Sequence, residues 1–131
     1  MFYQINIFKL GHFLKIAELN AIEHFSKRHF RCKLFLFQQG LVYTKIIQKR
    51  KLEYCDYFKF DDFFVMLIFS VKEIRVGNKF NNHYVTFSSD NVLLMVEINS
   101  IIHKLTAQND HIILNSNLIA KYKNELNDTV T

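Results

Sequence analysis

The chain has 131 residues, half of them hydrophobic and 15 % aromatic, with a formal net charge of +5. That is the length of one domain with apolar material for a real core, which excludes a disordered polypeptide. Residues 1–51 hold ten Lys/Arg against Glu18 and Glu23, a net of +8, while the remainder holds seven against ten acids, a net of −3. A basic half on an otherwise acidic domain suits an anionic partner: nucleic acid, anionic lipid headgroups or an acidic protein surface.

With three Gly and no Pro, turns must be built from Asn, Asp, Ser and Lys. The opening MFYQINIFKLGHF lacks the basic-then-apolar layout of a signal peptide. Phe63 to Val71 is the longest nearly apolar run, far short of the about 20 residues of a spanning helix, so it reads as a core strand. Cys32 and Cys55 belong to no zinc-like spacing and read as free thiols of a cytoplasmic protein.

In chain order, His12 to Ile22 mixes apolar and polar residues, with Phe13, Leu14, Ile16, Leu19 and Ile22 as candidate core positions. After a polar break at Glu23–Arg28, the run from His29 to Phe37 alternates, placing Phe30, Cys32, Leu34 and Leu36 on one strand face. Gln38-Gln39-Gly40 is a turn signal, and Leu41 to Ile47 completes a hairpin. Gln48-Lys49-Arg50-Lys51 is a charged loop. Tyr54 to Phe69 holds one or two strands with a turn at Asp61-Asp62. Ile74 to Val76 and Tyr84 to Phe87 are shorter strands separated by Gly77-Asn78 and Asn81-Asn82.

The period then changes. Ser88-Ser89-Asp90 supplies capping chemistry, and Val92, Met95, Val96, Asn99 and Ile102 recur at helical spacing, beside a stripe of Leu94, Ile98, Ile101 and Leu105. The spacing predicts a helix over 90–105, with a weaker helical pattern over Ile112 to Leu126. The fold class is mainly β with a C-terminal helix: an antiparallel barrel or sandwich whose mouth that helix caps.

Gly11-His12-Phe13-Leu14, Lys33-Leu34-Phe35-Leu36-Phe37-Gln38, Leu41-Val42-Tyr43-Thr44-Lys45 and Tyr57-Phe58-Lys59 follow one another at spacings that resemble the pleckstrin-homology (PH) domain of Dbl-type Rho exchange factors. Tyr84 to Ser89 resembles the last strand leading into the family's C-terminal helix. The resemblance covers residues 10–105, leaving 106–131 as a tail. It implies a non-catalytic module at the membrane surface, whose partners are anionic phospholipid or phosphoinositide and a Rho-family GTPase or an exchange domain. The family's helix carries a Trp over the barrel mouth; this chain has none, so Met95 or Val96 must fill that place. The segment between Phe60 and Tyr84 is short for the family, which predicts an abbreviated strand. Only ten residues precede Gly11, too few for a catalytic exchange domain, so exchange activity is not carried over.

Lys15, Lys27, Arg28 and Arg31 resemble the cations that PH domains gather around a lipid headgroup, with Lys45 and Lys49 second and Arg50 and Lys51 beside them. Several cations converging on a loop pair would meet phosphate through charge-assisted bonds. Lys27, Arg28 and Arg31 also interleave with Phe25 and Phe30, a mixture that on a β domain would imitate a stacking platform; a nucleic-acid-binding β module using the basic N-terminal half is the alternative reading. The six His have no metal-site spacing, Asp61-Asp62 reads as a turn and Ser88-Ser89 as a cap. No enzyme, cofactor or metal is implied.

Overall fold

The computed structural model describes residues 7–106. A short 3-10 turn, Ile7–Leu10, leads into β1 (Phe13–Glu23), β2 (Arg28–Phe37), β3 (Gly40–Ile46), β4 (Leu52–Lys59), β5 (Phe64–Ser70), β6 (Glu73–Asn78), β7 (His83–Ser88) and the helix α1 (Val92–Thr106). The strands form one antiparallel sheet in the order β4-β3-β2-β1-β7-β6-β5. β1 joins the two halves: it pairs with β2 along its length, but with β7 only over Asn20–Glu23. Residues from both halves, including Leu34, Tyr43, Phe58, Met66 and Val76, share one buried cluster, so the sheet curls around a single interior.

α1 closes one end of that interior. Met95, Ile98 and Ile102 are fully buried there, while Val96 is half-buried. The helix starts two residues later than the spacing suggests. Asn91 is the cap, its Oδ1 accepting from Leu94 N at 3.1 Å, while Ser89 Oγ accepts from Asn91 N at 3.0 Å. The helical pattern over Ile112 to Leu126 lies outside the described residues.

Three strand-level expectations change. The core face of β1 is Ala17, Leu19 and Ala21; Phe13, Leu14 and Ile16 are exposed and Ile22 is half-buried. Strand parity rather than side-chain size selects these positions, and the two alanines are small for a reason. Ala21 is paired with Phe30 on one side and Phe87 on the other, whose rings occupy the space. Nor is any strand lost between Phe60 and Tyr84. β5 and β6 are joined by only Val71 and Lys72, which keeps the segment short. Finally, Gly77-Asn78 is the end of β6, not a turn. A Cβ on Gly77 would collide with the Tyr84 ring across the strand pair, so glycine serves the close approach of that ring.

Candidate functional site: a basic turn end

The end of the barrel opposite α1 is built from three connections: the β1–β2 turn, the β3–β4 loop and the β6–β7 turn. His24 N donates to Tyr84 O at 3.0 Å and the Phe25 ring stacks on His83 at 4.6 Å, which ties the first turn to the third. Every described non-glycine residue with positive φ lies in these connections: Lys27 (60°), Lys49 (58°), Arg50 (57°) and Asn82 (57°). Asn accepts this conformation readily, but Lys and Arg hold it at a cost of about 1 kcal/mol each. Cationic side chains are thus kept on strained, exposed turns.

The six cations singled out from sequence do not all converge. Lys15 sits near the start of β1, eight strand residues before Glu23, roughly 27 Å away along the strand. Its ammonium pairs with Glu97 of α1, at the closed end. Arg28 is at the turn end but already occupied: its Nε and a terminal nitrogen donate to Glu23 Oε1 at 2.9 and 2.8 Å. The same oxygen accepts from Ser26 Oγ at 2.9 Å, and Glu23 Oε2 accepts from the buried Tyr43 hydroxyl at 2.7 Å. Burial alone would raise the Glu23 carboxyl; the bonds from Tyr43, Ser26 and Arg28 outweigh it and hold the group below the ordinary range. Burial, together with the bond to Glu23, pushes the Tyr43 hydroxyl far up.

Strand parity divides the rest. Lys45 pairs with the buried Cys32 and so has interior parity at the mouth, opposite Glu53. Glu23, Glu53 and Asp56 make this mouth interior partly acidic, and burial raises the Asp56 carboxyl. Arg31 has the opposite parity and faces outward, donating to Asn20 Oδ1 at 3.1 Å. Beside it on the outer face are Lys33 and Glu18, the latter also bound at 2.7 Å by Arg50 reaching down from the β3–β4 loop. The bond from Arg50 is the main reason the Glu18 carboxyl lies low, with Lys33 and Arg31 adding to it. One acid therefore stands among Arg31, Lys33, Lys49, Arg50 and Lys51. Among the described residues, the ammonium groups of Lys27, Lys45 and Lys49 make no ion pair.

Sequence reasoning missed Lys33, although its two-residue spacing from Arg31 marks it as the same strand face. The interleaved nucleic-acid platform is not assembled. Phe30 turns inward, stacked at 6.5 Å on Tyr43 and covered by the Arg28 guanidinium at 5.5 Å, so it offers no face to a base.

The chemistry available is binding chemistry. Burial pushes the Cys32 thiol up to about 12 and the Cys55 thiol up to about 11, so neither is a thiolate at neutral pH. No three His, Cys, Asp or Glu side chains among the described residues are grouped to hold a metal. A cleft of about 190 Å³ between β4 and the β6–β7 turn is lined by Asp56, Lys59, Asp61, Asn78, Asn81 and His83, among others. No described helix is long and apolar enough to cross a membrane.

This architecture, a seven-stranded antiparallel sheet curled round one core and closed by a C-terminal helix, is the PH-domain fold. No family model and no curated protein sequence matches the chain. Among solved structures, an activated truncation of Vav1 aligns with a TM-score of 0.65 at 9 % identity, over 80 % of this chain and 29 % of that one. A second Vav1 structure, concerned with the PH and C1 domains of that exchange factor, aligns with a TM-score of 0.63 at 9 % identity, over 79 % and 28 %. The Slm1 PH domain in complex with inositol-4-phosphate aligns with a TM-score of 0.56 at 17 % identity, over 72 % of this chain and 96 % of that one. The chain thus spans less than a third of the Vav1 chains and nearly a whole Slm1 PH domain.

Proposed function

We propose that this chain is a non-catalytic PH module that docks weakly on anionic membrane and serves Rho-family exchange-factor signalling through contacts with a GTPase or an exchange domain. The observation that carries the membrane part is the turn end itself, where Lys27 and Lys49 stand on left-handed turns with no ion pair among the described residues, beside the outward cluster of Arg31, Lys33, Arg50 and Lys51. Arg28 and Lys45 contribute less, because Glu23, Glu53 and Asp56 share their side of the mouth. A surface of this kind follows total negative charge more than it selects one headgroup. The Slm1 PH domain, with the same fold, is described in complex with inositol-4-phosphate and with phosphoserine, which supports an anion-binding use. The exchange-factor part is supported by the ordered motifs and by the likeness in fold to Vav1.

Co-sedimentation with neutral, phosphatidylserine and mixed phosphoinositide vesicles tests the reading. Binding is expected to rise with negative charge and fall with salt. Each lysine near the surface contributes about 1 kcal/mol, so Lys27→Ala with Lys49→Ala should lower the partition by about tenfold or more. A strict requirement for phosphoinositide would replace the diffuse surface by a headgroup site. Failure to bind any vesicle would leave only the protein contacts, to be sought by gel filtration with purified Rho-family GTPases.

A further inference from the structure

Three of the most exposed aromatic side chains of the described residues sit on turns that touch one another. Phe80 is 81 % exposed in the β6–β7 turn, Phe25 is 48 % exposed in the β1–β2 turn, and Phe63 is 47 % exposed in the β4–β5 turn. Lys79 N donates to Phe63 O at 2.8 Å, and the Phe63 and Phe80 rings meet edge to face at 5.6 Å. On the other side, Phe25 stacks on His83 of the same β6–β7 turn.

The turn carrying Phe80 is held by its own asparagines. Asn78 Oδ1 accepts from Phe80 N at 2.7 Å, Asn81 Oδ1 from His83 N at 3.1 Å, and Asn78 O from Asn82 N at 3.0 Å. A turn fixed by this many local bonds presents its side chain in a defined direction. Phe80 adds little to the fold, because most of its ring remains in water. Lys27 follows Phe25 by two residues and Lys79 directly precedes Phe80, both exposed.

We propose that Phe80, with Phe63 and Phe25, forms an apolar edge that inserts into the interfacial region of an anionic bilayer while Lys27 and Lys79 meet its headgroups. The inference deepens the membrane reading above and rests on it. The occupant is a bilayer because the rings stand on the tips of turns, which suits a deformable surface, and because the cations beside them complement anionic lipid. It also gives the weak electrostatic contact a component that salt does not screen.

The chain contains no Trp, so Phe80→Trp is a single reporter at the proposed depth. Vesicles of phosphatidylserine and phosphatidylcholine, with and without bromines on the acyl chains, provide the readout. Insertion predicts a blue shift of the Trp emission and strong quenching by the brominated lipid. Phe80→Asp should lower the partition about tenfold or more, including at high salt, with its folded spectrum unchanged since the side chain is exposed. If the Phe80→Trp protein sediments with vesicles while its emission is neither shifted nor quenched, the cations act alone and the inserted edge is overturned. If Phe80→Asp instead abolishes a concentration-dependent self-association and leaves vesicle binding intact, the edge is a contact between copies and the inference fails. If wild type and variants all stay in solution, the membrane reading fails and takes this inference with it.

Discussion

At the α1 end of the barrel, Lys15 is held by Glu97 above a mouth filled by Met95, Ile98 and Ile102, whereas at the turn end Lys27 and Lys49 stand on left-handed turns with no acid among the described residues bound to them. Both ends carry cations of the basic N-terminal half. What separates them is the arrangement around each ammonium: a helix laid across one mouth supplies a carboxylate, while short turns at the other leave the charge facing water. Net charge by segment therefore overstates what is available to a partner. The residues that count are those whose neighbours do not already neutralise them.

Glu23 is the exception that makes the turn end rigid, and removing its charge should have the largest effect. Its carboxylate, 2 % exposed, accepts from Tyr43, Ser26 and Arg28 together. Glu23→Gln keeps one acceptor oxygen where two served Tyr43, Ser26 and Arg28, and turns an amide N–H toward either the buried hydroxyl or the guanidinium, a loss of about 2–3 kcal/mol in urea unfolding. Because the folded carboxyl lies below its unfolded value near 4.3, its stabilisation is complete above that pH and disappears as pH falls through the folded value. The gap between wild type and Glu23→Gln should accordingly narrow in acid. The same variant releases Arg28, so vesicle affinity should rise about fivefold while stability falls. A loss of affinity in a folded variant would mean that Arg28 needs Glu23 to be aimed at the lipid.

Much of the fold is legible in the sequence because strand alternation and helical period are strong signals: Cys32, Leu34 and Leu36 face inward as their spacing requires, and the β2–β3 hairpin, the Asp61-Asp62 turn and the terminal helix are where patterning puts them. The candidate site is less legible. Lys15 and Arg28 look like free cations in a string of letters, and only tertiary contacts with Glu97 and with Tyr43's partner Glu23 decide otherwise. The exposed Phe80 is hidden for a different reason. In a chain with 14 Phe, composition alone cannot tell a core ring from one standing in solvent.

Lys27 allows stability and function to be moved in opposite directions. At φ 60° its backbone is in the region that favours glycine, so Lys27→Gly should relieve strain and raise stability by about 0.5–1 kcal/mol. The same change removes an exposed ammonium from the turn end and should reduce binding to phosphatidylserine vesicles about fivefold. Stability measured by urea midpoint and partition measured by sedimentation would then diverge. Parallel changes would indicate that binding simply tracks folding.

Lys15 supplies the smallest effect and the cleanest test of the contrast between the two ends. Its partner Glu97 is 55 % exposed, so water screens the pair and its loss in Lys15→Met should cost at most about 1 kcal/mol. Vesicle binding should be unchanged, because the ammonium is held at the end of the barrel away from the turns. Glu97→Gln sharpens the result by freeing Lys15 without deleting it. If that variant also leaves the partition unchanged, position alone keeps Lys15 from the membrane. If it raises the partition, the α1 end lies close enough to lipid for Glu97 to be what withholds the charge, and the membrane-facing surface extends beyond the three turns.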